Sequence, residues 1–196
     1  YPGVHVALQG EQKKMRESFS SLYVGFPLAV LGIFVIVATI FRSYVQPFVI
    51  MFTIPFGIIG SIWGHLLLGY DLSIMSIFGM VALTGVVVND AIVLIERVNE
   101  NFAEGLPFFE AIRLGGVRRF RAIFLTTLST VGGLAPMIME TDMQAKFLIP
   151  MALSLASGVA FATVLTLVLI PSLLVILNDF RRLVFRYKYG HWPPRE

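Results

Sequence analysis

Asn89 and Asp90 interrupt an apolar run that begins near Phe78 and resumes with Ala91, Ile92, Val93 and Leu94. An amide and a carboxyl therefore stand inside a stretch long enough to cross a bilayer. Insertion scales put Asp at about 2.5–3.5 kcal/mol near the centre of a membrane helix, so an acid carrying that cost reads first as functional, with a partner on another helix. A carboxyl in a low-dielectric medium exchanges between its charged and neutral forms as a cation approaches or leaves. Moving the cation then loads and unloads a proton. The other reading is a carboxyl kept neutral, or paired, to lock helices together. The residues themselves leave both open.

Other candidates surround this pair. Arg119 and Arg121 open a later apolar segment that carries Thr126, Thr127, Ser129 and Thr130. Hydroxyls at that density bond across helices or back to their own carbonyls, and one or two are placed to face Asp90. His65 lies in an earlier run, where an imidazole titrates near neutrality and suits a relay; an interfacial histidine with satisfied ring nitrogens is the plainer reading. Glu96 and Arg97 fall at a span boundary, within reach of headgroups, and read as anchors. Gly60 and Gly64 form a GxxxG, and Gly158 stands with Ser154, Ser157 and Ala162, patterns that let helices approach closely. We find no metal-ligand cluster, nucleophile–base pair or phosphate-cradling loop, hence no cofactor and no ground for an enzyme.

These residues need a membrane to position them. The chain has 196 residues, 57% hydrophobic and 14% charged, with mean hydropathy +0.82, outside the range of soluble domains. Charges cluster in short stretches between apolar runs of about 20 residues, the length that spans roughly 30 Å of hydrocarbon. The expected fold is an all-α five-helix transmembrane bundle with spans at Leu22–Phe41, Pro47–Leu68, Ser73–Ile95, Ala122–Met139 and Phe147–Leu177. Three parts follow: a stub at 1–21, the bundle at 22–177 and a basic tail at 178–196. Tyr1 to Gln9 alternate as a strand does, and Glu11 to Ser21 look helical. A short amphipathic helix is expected at 107–116, opened by Pro107 and closed near Gly115 and Gly116.

Arg42, the run Arg97 to Arg121, and the tail with Arg181, Arg182, Arg186 and Lys188 share one side of a five-span topology. By the positive-inside rule that side is cytoplasmic. The same rule explains the net charge of +3 without a nucleic acid partner. Aromatic residues among the basic ones in the tail, Phe180 to Trp192, read as interfacial anchors in contact with membrane lipids. The absence of cysteine excludes disulfides and thiolate chemistry.

The motif GVVVNDAIVLIERVNE, followed by EGLPFFEAI and RRFRAIFLTTLSTVGGLAPMI, resembles the C-terminal half of resistance-nodulation-division permeases of the acriflavine-resistance type. The upstream segment FRSYVQPFVIMFTIPFGIIG is similar to the loop and second span of that half. The resemblance implies spans eight to twelve of a twelve-span transporter, with residues 1–21 as the periplasmic edge of a porter domain that binds cargo. It implies a bacterial inner-membrane protein, a homotrimer working with the remaining half of the same transporter, and a periplasmic adaptor and outer-membrane channel as partners. In multidrug members a lysine, a threonine and an arginine of this half serve the proton relay. They correspond by motif position to Asn89, Thr126 and Arg119. Asn89 departs from the lysine, and Asp90 places an acid where multidrug members commonly have asparagine. The function implied is proton-driven export of small molecules. The alternatives are a related permease for lipids, metal ions or protein export, and a membrane scaffold.

Overall fold

The computed structural model describes residues 11–143 and 145–189. Regular structure among them is helical: α1 (Glu11–Phe41), α2 (Val45–Met51), α3 (Ile54–Leu68), α4 (Ile74–Ala103), α5 (Phe108–Ile138) and α6 (Ile149–Tyr189), with a 3-10 turn at Ala145–Phe147. Among the described residues, five stretches are long and apolar enough to cross a membrane: Phe19–Phe41, Val45–Leu68, Ile74–Ala103, Phe108–Ile138 and Ile149–Tyr187. The all-α membrane architecture expected from hydropathy is the architecture found. The strand expected at Tyr1–Gln9 and the end of the tail, including Trp192, lie outside the described residues.

Residues 1–43 form one unit, whose described part is α1. The expected stub helix and the first span are a single 31-residue helix, continuous through Pro27. Arg42, with φ of 49°, stands in the left-handed region directly after it.

The second unit, residues 44–196, holds the other four spans. The second span is two helices, because Pro55 has no N–H to return to the Met51 carbonyl. The chain tightens there: Thr53 donates from both its backbone N–H (3.0 Å) and its hydroxyl (2.6 Å) to the Ile50 carbonyl. Gly69, at φ 70°, ends α3, and Tyr70 N–H closes back on the His65 carbonyl at 3.0 Å. Ser73 then caps α4 in a reciprocal box with Ser76, supplying partners for first-turn N–H groups.

The separate helix expected at 107–116 is corrected. Phe108–Gly116 forms the first turns of α5, which runs unbroken to Ile138. Gly115 is a point of close approach, not a stop: a Cβ there would lie 2.6 Å from Cγ2 of Val98 on α4. The tail at 178–189 is likewise helical, a continuation of α6.

The packing of these spans depends on small residues. Lipid tails are as apolar as leucine, so helices gain by close van der Waals approach more than by burial. A Cβ on Gly60 would fall 2.5 Å from Cβ of Phe161, one on Gly64 would overlap Ser157, and one on Gly158 would overlap Leu83 and reach 2.5 Å from Oγ of Ser61. Ser61 crosses the same contact, donating to the Ser154 carbonyl at 2.6 Å. Between α4 and α6, Leu83 and Val87 pack on Val159 and Ala162, and Gly79 abuts Met151 and Ser154. Contacts that advance together along both chains make α4 and α6 parallel.

Candidate functional site

Asp90 lies near the middle of the 30-residue α4, a helix about 45 Å long and longer than the hydrocarbon it would cross. Its position follows from helical period. Leu83, Val87, Asp90 and Leu94 recur at steps of four, three and four, which places them on one face, the face whose Leu83 and Val87 pack on α6. Asp90 is 7% exposed, and no hydrogen bond or ion pair to its carboxyl is found among the described residues. Asn89, about 100° around the helix, points out from the bundle with Ala82, Gly85 and Glu96.

A similar division separates two threonines of α5. Thr126 is exposed and donates to the Ala122 carbonyl of its own helix at 2.9 Å. Thr127 is buried and meets Thr163 of α6, hydroxyl to hydroxyl, at 2.6 Å. Arg119 is half-buried, and its Nε is buried without a hydrogen-bond partner. Asn89, Asp90, Thr126 and Arg119 are joined to one another by no hydrogen bond or ion pair among the described residues.

One exposed stripe on each helix carries small or polar side chains, Ala82, Gly85 and Asn89 on α4 and Ala122, Thr126, Ser129 and Gly133 on α5, while α5 also exposes the apolar Phe120, Phe124, Leu125 and Leu128. A Cβ added at Gly85, Gly132 or Gly133 meets nothing within 4 Å.

At the arginine-bearing end, Asn101 is fully buried and was not singled out by sequence reasoning. Its amide donates to the Ala111 carbonyl at 2.8 Å and its oxygen accepts from Arg118 at 3.1 Å. Glu104 lies 3.8 Å from Arg97 and 3.6 Å from Arg118. Gln46 of α2 and Asn99 of α4 exchange two amide hydrogen bonds, at 2.9 and 3.2 Å. Amides at helix ends look like ordinary surface residues in a sequence, and only their facing partners mark them.

His65, at the other end, has both ring nitrogens occupied. Nδ1 donates to the Ser61 carbonyl at 2.9 Å, and in that neutral tautomer Nε2 accepts from the Ser76 hydroxyl at 2.8 Å. Ser76 in turn accepts from the Ser73 N–H at 3.1 Å. The network ties α3 to the start of α4.

This geometry defines a multi-pass membrane bundle, packed through glycine, with a buried acid at mid-span. The family profile described as the AcrB/AcrD/AcrF family matches residues 1–178. Swarming motility protein SwrC of Bacillus subtilis (strain 168) is 31% identical over 180 residues, 91% of this chain and 17% of that protein. Two crystal structures of a heavy metal efflux pump share the fold. Crystal form II superposes with TM-score 0.78 at 27% identity, over 91% of this chain and 18% of the pump. Crystal form I gives 0.72 at 26%, over 87% and 17%. The chain belongs to the AcrB/AcrD/AcrF family of resistance-nodulation-division permeases. It spans about one sixth of the length of these relatives.

Proposed function

We propose that this bundle is the proton-coupling membrane part of an exporter that drives small molecules out of the cell with the proton gradient. The observation that carries the reading is Asp90, a buried carboxyl at mid-span whose cost in lipid a purely structural helix would avoid. The exposed stripes of small and polar residues on α4 and α5 suit the remaining half of the same transporter, since alternating access needs two halves that move against each other. Family membership further supports a homotrimer in the bacterial inner membrane, with the arginine-bearing ends cytoplasmic and with a periplasmic adaptor and outer-membrane channel as partners. The solved heavy metal efflux pumps favour a second reading in which the cargo is a metal ion.

Asp90→Asn preserves shape and hydrogen-bonding capacity but removes the titratable group. In the full-length protein reconstituted into proteoliposomes, this variant is expected to assemble normally and lose substrate-driven proton flux. Wild-type flux would return Asp90 to a structural role.

A further inference from the structure

Asp90 shares the face of α4 whose Leu83 and Val87 pack on α6 and lie against Gly57 of α3, and the register of α4 on α6 identifies what stands opposite on α6. The two helices advance in step: Gly79 abuts Met151 and Ser154, Leu83 meets Gly158, and Val87 packs with Ala162. One turn further along both helices, Asp90 and Ala91 reach the depth of Thr166, and after them Leu94 and Ile170, both fully buried, reach a common level. Thr166 is 2% exposed, and its hydroxyl has no hydrogen bond among the described residues. Thr163, one turn earlier on the same face, is committed to Thr127 at 2.6 Å. Asp90 and Thr166, neither hydrogen-bonded to the other or to a further group among the described residues, therefore sit at one depth on the facing surfaces of α4 and α6. A carboxyl and a hydroxyl at one depth between packed helices gain from a hydrogen bond to each other once either side chain turns toward its neighbour.

We propose that Thr166 is the positioning residue for Asp90: its hydroxyl pairs with the carboxyl in the protonation states that the transport cycle visits. The chemistry suits both states, because a hydroxyl donates to a carboxylate and accepts from a protonated carboxyl. Thr166 holds the acid toward α6 as its charge changes, and Thr163 and Thr127 extend the hydroxyl row to α5. The route runs inside the bundle, whereas Thr126 points away from it. This inference rests on the reading of Asp90 as the proton carrier.

Infrared difference spectroscopy on the full-length protein in lipid bilayers tests the pairing. The band of the protonated Asp90 carbonyl is identified by its loss in Asp90→Asn. Thr166→Val, close in shape but without the hydroxyl, is expected to shift that band to higher frequency, and Thr166→Ser to restore it. Thr126→Val is expected to leave it in place. Substrate-driven proton flux is expected to fall about tenfold in Thr166→Val, the order of one net hydrogen bond, and to recover in Thr166→Ser. Thr166→Ala serves as a second hydroxyl-free variant if the valine form does not assemble. An unshifted band in the hydroxyl-free variants, or wild-type flux through them, overturns the proposal while a dead Asp90→Asn keeps the proton-carrier reading. Wild-type flux through Asp90→Asn instead removes that reading and the inference with it.

Discussion

Replacing Gly60 with alanine adds one methyl group to the contact between α3 and α6, where the structure leaves no room for it. The new Cβ would lie 2.5 Å from Cβ of Phe161 and 3.0 Å from its Cγ and Cδ1. Ordinary contact begins near 3.4 Å, so the helices must part by about 0.9 Å. Phe161 cannot rotate aside, because the closest atom is its own Cβ, held by the backbone. Overpacking of this kind costs about 1–3 kcal/mol. Gly85→Ala is the matched comparison: the residue change is the same, and its Cβ meets nothing within 4 Å. Both substitutions gain the roughly 0.8–1 kcal/mol by which alanine exceeds glycine in helix propensity. Their difference therefore isolates the steric term. Titrating the protein in mixed micelles with a denaturing detergent, Gly60→Ala is expected to unfold earlier than Gly85→Ala, by a stability gap of about 1–3 kcal/mol. With Phe161→Gly made in both variants the gap is expected to narrow, whereas with Phe161→Ala in both, which keeps the offending Cβ, it is expected to persist. Equal unfolding of the two alanine variants would refute the argument that glycine at position 60 sets the α3–α6 distance.

Two further outcomes test the polar ends of the bundle. Asn101→Ala leaves the Ala111 carbonyl and Arg118 without their buried partner, and is expected to cost about 1–3 kcal/mol, read as faster amide hydrogen exchange through the turn at 104–107. His65→Leu strips partners from the Ser61 carbonyl and the Ser76 hydroxyl. It is expected to destabilise by a similar amount, about 1–3 kcal/mol, measured by the same detergent titration, while leaving proton flux per folded protein unchanged; lost flux at full stability would make His65 part of the relay.

Glycine shows how a local signal can carry two meanings. Gly115 and Gly116 follow an amphipathic stretch and read as a helix stop, yet α5 continues through them. A glycine that ends a helix and one that admits a neighbour look alike along the chain. The Val98 side chain against Gly115 decides between them. The second span was expected as one stretch at Pro47–Leu68, and the bond that Pro55 cannot make to Met51 breaks it into α2 and α3.

Span number and approximate limits were legible in the sequence because lipid imposes a length and a hydropathy that water does not. The cost of an acid in that setting also singled out Asp90 before any contact was known. What the sequence could not decide was which of two neighbours faces inward. Asn89 and Asp90, or Thr126 and Thr127, differ by about 100° around a helix, and helices apolar on nearly every side give no amphipathic period from which to read the inner face. The family motif pointed to Asn89 and Thr126, whereas packing buries Asp90 and Thr127 and pairs Thr127 with Thr163 of α6. That choice was made by close approaches such as Gly79 on Ser154 and Gly158 on Leu83, contacts between residues far apart in the chain that set the rotation of each helix and hence the side on which its polar groups fall.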